Sequence, residues 1–238
     1  MSSAVHDMFA SISRRYDLAN DVLSFGTHRL WRRQAVRFAG IRAGMKVLDL
    51  CCGTGDFAAA SRRAVGNNGA VIGMDFVGEM VELAQKKYHN IRFMRGDAMC
   101  IAFPDQSFNA VTVGFGIRNV DDVLGCLQEM YRVLEPGGVA VVLEFGQPHL
   151  RGFRSVYQWY SRHIMPRIGE VITANRAAYE YLPQTAATFP AGDEFLASMK
   201  KSGFVATRLK SLFAGVAYIY CGMRPRISRE TDQNSYVH

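Results

Sequence analysis

Asp49, Gly53, Gly55, Asp75 and Asp97 are the residues whose types and spacing point to ligand chemistry. In Val47-Leu-Asp-Leu-Cys-Cys-Gly-Thr-Gly-Asp56 an apolar run meets a carboxylate and then a tight Gly53-Thr54-Gly55 turn, and an alanine-rich helical pattern follows over 57–65. A strand that feeds a helix through a loop without side-chain bulk lets a ligand lie against the backbone and the helix N-terminus. Gly53-x-Gly55-x-x-Ala58 also satisfies the dinucleotide fingerprint, so the glycines alone do not name the ligand. Asp49 discriminates. A carboxylate at the strand end repels a pyrophosphate lying in that turn and suits a ligand with a positive amino group. S-adenosylmethionine carries such a group, an adenosine and no phosphates, and is favoured over a dinucleotide.

Asp75 closes the next strand-like run, twenty residues past Gly55. A carboxylate there accepts both ribose hydroxyls of an adenosine ligand, or caps the helix that starts near Gly78. Asp97 follows the third run, where it can accept from the adenine amine while the Ala98 N–H donates to the ring.

These residues need a frame that brings strand ends together. Strand-like runs at 46–50, 70–76, 91–95, 108–114 and 138–145 alternate with helical patterns at 57–65, 79–87 and 123–134. Near-continuous apolar strands in such alternation predict a parallel sheet covered on both faces, with the ligand-facing loops on its C-terminal edge. Two further runs, 203–210 and 215–223, predict a terminal hairpin that adds one antiparallel strand. The expected fold is therefore α/β, a seven-stranded, mostly parallel, doubly wound sheet. Residues 1–45 read as a helical cover, 46–223 as the main domain with an insertion over 147–190, and 224–238 as a polar tail. Within the insertion Leu150, Phe153, Tyr157, Tyr160 and Ile164 recur at steps of three and four, an amphipathic helix read as packed on the body.

Composition narrows the function classes. Hydrophobic residues make up 49% and charged residues 21%, ordinary for a globular chain, and no apolar run approaches the ~18 residues of a membrane span. The start lacks a signal-peptide pattern and the five cysteines have no metal-ligand spacing, so a cytoplasmic protein with reduced thiols and no metal is expected. The net charge of +7 is split: +5 over 1–46, −4 over 47–146 and +3 over each of 147–180 and 181–238. No nucleic-acid motif accompanies the basic flanks. They are either solvated helix faces or a match to an anionic lipid surface.

Three segments resemble the quinone-biosynthesis C-methyltransferase family, a class I S-adenosylmethionine-dependent group with a Rossmann-like fold. They are Tyr16-Asp-Leu-Ala-Asn-Asp-Val-Leu-Ser-Phe-Gly-Thr-His-Arg-Leu-Trp31, the 49–56 loop, and Phe115-Gly-Ile-Arg-Asn-Val120 with Glu129-Met-Tyr-Arg-Val-Leu-Glu-Pro-Gly-Gly138. The similarity runs over about 6–223, and the first and third segments are specific to the family. It implies cofactor contacts from Gly53, Thr54, Asp75, Asp97 and Ala98. It departs from the family at Gly114, often a serine there, and at Cys51, which replaces the first glycine of the generic loop. The implied reaction adds a methyl group to a ring carbon of a polyprenylated quinol, demethylmenaquinol or the benzoquinol precursor of ubiquinone. Arg118 is the candidate that favours the phenolate, and Tyr16 the candidate hydrogen-bond partner of a ring oxygen. His28 is a conceivable proton acceptor, or a helix cap. Arg118 has an alternative as the ion-pair partner of Asp121 or Asp122. Two rivals of other classes stay open: a nicotinamide dehydrogenase built on the glycine turn, and a non-catalytic assembly protein. Peripheral contact with a membrane surface and self-association are further expectations.

Overall fold

Seven strands form one sheet in the order β3-β2-β1-β4-β5-β7-β6. The computed structural model describes residues 3–226, so most of the segment read as a polar tail lies outside the described residues. The strands are β1 (Lys46–Leu50), β2 (Ala70–Asp75), β3 (Arg92–Arg95), β4 (Phe108–Gly114), β5 (Leu134–Phe145), β6 (Val205–Leu212) and β7 (Ala217–Met223). Register is parallel from β3 through β5, and β7 pairs antiparallel with both β5 and β6. This is the expected sheet with its single reversed strand. β5 begins earlier than expected, because Leu134 pairs with Phe108 and the ladder then shifts register before Val139 pairs with Ala110. The Pro136-Gly137-Gly138 turn lies inside the strand as an irregularity, with Gly137 at φ +83°.

Both faces of the sheet are covered, as near-continuous apolar strands require. Helices α3 (Thr27–Phe38), α4 (Asp56–Val65) and α5 (Gly78–Lys87) bury Trp31, Ala35, Ala59 and Val81 against Val47 and Val71. Helices α6 (Val123–Val133) and α10 (Asp193–Lys201) bury Leu127, Met130 and Phe195 against Leu48, Val111 and Val142.

A third cluster forms away from the sheet. Helices α1 (Ser3–Ile12) and α2 (Tyr16–Ser24) pack Ile12 and Ala19 against Ala178 and Tyr179 of α9 (Arg176–Thr188). The insertion supplies α7 (Arg151–Trp159), a π-helical turn at Tyr160–Ile164, α8 (Met165–Thr173) and α9. Arg15 Nη1 donates to Ile172 O at 2.7 Å and Tyr160 Oη donates to Leu23 O at 3.1 Å. Residues 3–40 and the insertion thus join each other and roof the loops that follow the parallel strands.

Candidate active site

Two clefts meet under that roof. The first, of about 660 Å³, is lined by loops that follow four strands: Cys51 and Gly53 after β1, Asp75 and Phe76 at the end of β2, Gly96–Ala98 after β3, and Gly114–Gly116 after β4. The backbone here is shaped for close approach. Cys51 and Phe115 both take left-handed conformations, at φ +50° and +59°. A Cβ at Gly116 would stand 2.3 Å from the Cβ of Cys51, so the two strained turns nest only because residue 116 is glycine. Gly55 is also fixed by sterics. Its φ is +88° and a Cβ would fall 2.7 Å from the Phe93 ring.

Asp75 organises this cleft. Its Oδ2 accepts from the Gly53 N–H at 2.8 Å and its Oδ1 from the Val77 N–H at 2.9 Å, which ties the first two loops together. Burial pushes its carboxyl above the usual range, opposed by those amide bonds. Each oxygen keeps a lone pair for a ligand hydroxyl. Asp97 and Ala98 share the wall with Gly53, and Tyr16 and Phe9 close it from the roof. Among the described residues, two carboxylates and no lysine or arginine line this space, which suits a nucleoside with a positive group and opposes a pyrophosphate.

Asp49 and Thr54 lie elsewhere than expected. Asp49 is fully buried inside β1, on the face of the sheet that carries Val47, and does not line the cleft. Its Oδ1 accepts from Thr112 Oγ1 at 2.6 Å, its Oδ2 has no hydrogen-bond partner among the described residues, and burial pushes the carboxyl up to about 7. Strand alternation turns it inward, so direct contact with a ligand amino group is not the role the structure gives it. Thr54 does not line the cleft either. Its hydroxyl donates to Asp17 Oδ1 at 2.5 Å, and Asp17 in turn accepts from Lys87 Nζ, which also donates to Asp56 at 2.7 Å. Thr54 fastens α2 to the glycine turn.

The second cleft, of about 850 Å³, has mostly apolar and aromatic walls: Trp31 of α3, Phe115, Phe145, Tyr157, Tyr160, Met165 and Leu182 among them. Tyr16 and Phe115 line both clefts, so they stand at the passage between the two. Burial raises the Tyr16 phenol, which keeps it a hydrogen-bond donor. Phe115 and Phe145 stack at 4.4 Å between centroids and 30° between planes. Tyr157 and Tyr160 belong to the stripe read as packing on the body, but they face this space.

Arg118 lines the second cleft with its side chain only 3% exposed. Its partner is Glu144 at the end of β5, fully buried, rather than Asp121 or Asp122. The same Nη1 donates to Phe115 O at 2.8 Å, Nε donates to Thr185 Oγ1 at 3.4 Å, and the guanidinium lies 5.2 Å over the Phe145 ring. Nη2 makes none of these bonds. Burial raises the Glu144 carboxyl and the Arg118 charge opposes that shift.

His28 is not free to take a proton. Its Nε2 bonds Asp21 Oδ1 at 2.7 Å and its Nδ1 accepts from Arg32 Nη1, so both ring nitrogens are engaged. Gly114 explains its own departure from the serine expected there. A Cβ at this position would fall 2.7 Å from Phe57 Cδ1, so the Phe57 ring holds the space a side chain would need. Sequence reading missed Glu144, Arg32 and the wall of the apolar cleft. An acid at the end of the otherwise apolar Val139–Phe145 run was the available signal for Glu144.

A sheet of this order, with a bulk-free turn after β1 and an acidic nucleoside-sized cleft beside an apolar one, defines an S-adenosylmethionine-dependent methyltransferase. The chain belongs to the ubiE/COQ5 methyltransferase family, whose model matches residues 1–224. It is 40% identical over 231 residues to the demethylmenaquinone methyltransferase of Staphylococcus aureus strain MRSA252, covering 96% of each chain. Among solved structures it is similar to a SAM-dependent methyltransferase from Thermotoga maritima, with TM-score 0.67 and 20% identity over 92% of this chain and 99% of the other. It is also similar to phosphoethanolamine N-methyltransferase 2 of Haemonchus contortus, solved with S-adenosyl-L-methionine (TM-score 0.58, 16% identity, 80% and 51% covered).

Proposed function

We propose that this methyltransferase converts demethylmenaquinol to menaquinol by methylating a ring carbon next to a hydroxyl. The observation that carries this reading is the pair of clefts that meet at Tyr16 and Phe115, one built for a nucleoside and one for a flat apolar ring. The Staphylococcus aureus relative, similar over nearly its whole length, supports the naphthoquinol ring.

Gly53, Asp75, Asp97 and Ala98 would hold S-adenosylmethionine, which supplies an electrophilic methyl group when bound. The chain's own residues do the rest. Phe115 and Phe145 offer a stacked platform for the ring, and Tyr16 of α2 stands at the passage between the clefts. Tyr16 donates a hydrogen bond to a ring oxygen. Losing a hydroxyl proton to a water molecule makes the neighbouring carbon a far stronger nucleophile, so groups that favour the phenolate speed the step. Arg118 is charged at every relevant pH, cannot accept the proton, and donates to a ring oxygen from a rigid mount. Mass-spectrometric detection of S-adenosylhomocysteine from a short-chain demethylmenaquinol is the test. No product with that quinol, but turnover of the benzoquinol analogue, would reassign the substrate.

The substrate's tail also bears on location. No helix among the described residues is long and apolar enough to cross a membrane, so a tailed quinol must be met at the bilayer surface. Phe25 is 85% exposed and Trp159 58%, and each adjoins a cleft residue, Ser24 or Tyr160. We place the chain in the cytoplasm, docking reversibly through this rim and the basic flanks, at up to ~1 kcal/mol per basic residue that reaches the headgroups. Vesicles with anionic lipid should co-sediment it at low salt and release it near 1 M, where the Debye length is about 3 Å. Equal recovery in the supernatant with and without anionic lipid, at either salt, refutes the docking.

A further inference from the structure

The apolar cleft holds a second guanidinium, and the two are electrostatically unlike. Arg32 of α3 is 7% exposed and lines the same wall as Arg118. A cation this deep normally has a carboxylate in contact. Arg118 has Glu144, whereas among the described residues no carboxylate forms an ion pair with Arg32. The acids whose charge reaches Arg32 are otherwise engaged: Asp56 accepts from Lys87 Nζ and Tyr88 Oη, and Asp49 accepts from Thr112.

Arg32 is held by an uncharged partner. Its Nη1 donates to His28 Nδ1 and, at 3.3 Å, to His28 O. An arginine only donates, so Nδ1 is the acceptor and the imidazole proton sits on Nε2, pointing at Asp21 Oδ1. Asp21 Oδ2 accepts from Arg29 at 2.5 Å, which spends its charge on an exposed cation. The cluster of Asp21, Arg29, neutral His28 and Arg32 therefore turns one net positive charge toward the cleft. Arg32 also lies 5.5 Å over the Phe115 ring while Arg118 lies over Phe145, so each ring of the stacked pair carries a guanidinium.

We propose that Arg32 is a substrate-binding residue that holds the ring oxygen which ionises during the reaction, and that Asp21 and His28 are its positioning residues. Arg118 then hydrogen-bonds an oxygen that stays neutral, because the adjacent Glu144 cancels its charge and repels an anion. The assignment rests on the proposed function for its ring substrate, but what it states is a preference for an anionic ring in this cleft.

The experiment measures binding of two flat probes to the full chain through quenching of tryptophan fluorescence. One is 2-hydroxy-1,4-naphthoquinone, ionised at neutral pH, and the other is neutral 2-methyl-1,4-naphthoquinone. Wild type should prefer the anionic ring, and Arg32→Gln should lose about 10- to 150-fold on that ring alone, the span of one charge-assisted hydrogen bond. Arg32→Lys should retain most of the preference. If Arg32→Gln does not fold, Arg32→Lys against wild type decides, since loss of the preference with the charge kept overturns the proposal. Equal loss on both rings, or no preference in wild type, overturns it too. Turnover of short-chain demethylmenaquinol by wild type is measured beside it. Turnover without an anion preference sinks the role of Arg32 alone; an anion preference without turnover sinks the substrate assignment alone.

Discussion

Replacing Arg118 with lysine should leave the fold and the affinity for S-adenosylmethionine intact while turnover falls by roughly 1–3 orders of magnitude, the usual effect of removing one preorganised donor. A lysine can still neutralise Glu144, so no buried charge is orphaned. What it cannot do is bond Glu144, Phe115 O and Thr185 at once and leave an amino group over. The converse change separates mounting from charge. Glu144→Ala leaves the Arg118 guanidinium buried without a counter-charge and should cost about 3–5 kcal/mol of stability in denaturant titrations. If Arg118→Lys keeps near-normal turnover and Glu144→Ala is still destabilising, the pair is structural and Arg118 has no part in the chemistry.

That pair also marks where the chain was legible and where it was not. The sheet could be read because buried parallel strands are apolar on both faces, so 46–50 and 108–114 stand out as runs whatever surrounds them. Asp75 and Asp97 could be placed beside the cleft because they end or follow such runs, and parallel topology sends every run's C-terminus to one edge. Pairings across the fold could not. Thr54 is a small hydroxyl in a ligand turn, yet Asp17, 37 residues earlier, captures it. Arg118 sits beside two acids in sequence, but its partner is Glu144, 26 residues on, because adjacent parallel strands β4 and β5 bring their ends together. Asp49 shows the limit of motif chemistry. Its position beside the turn suggested ligand contact, and the alternation of β1 decided otherwise by pointing it into the core. The aromatic stripe of the insertion was legible in part: Phe153 and Tyr157 pack on the body as its period implies, but helical period does not say that Tyr157 and Tyr160 also line a cleft.

Asp75→Ala should weaken binding of S-adenosylmethionine by about 10- to 150-fold, equivalent to roughly 1.5–3 kcal/mol for a buried charged acceptor of two hydroxyls. Two contributions enter, and both act on binding rather than on the fold. The carboxylate presents its remaining lone pairs to the cleft, and it also holds the Gly53 and Val77 amides that set the first two loops. Alanine removes both functions. The core beneath is untouched, since Met74, next to Asp75 in β2, still packs against Leu48 and Leu50. A thermal midpoint close to wild type should therefore accompany the lost affinity. Asp75→Asn distinguishes the two contributions. Its amide nitrogen must face one backbone N–H, so one loop tie is lost, while the other oxygen still accepts. An affinity midway between wild type and alanine is expected. Titration calorimetry reads all three proteins, with NAD as the comparison ligand. Unchanged affinity in Asp75→Ala would remove Asp75 from the cofactor cleft, and NAD binding as tight as S-adenosylmethionine would mean that the two carboxylates on its wall do not set the choice of nucleotide.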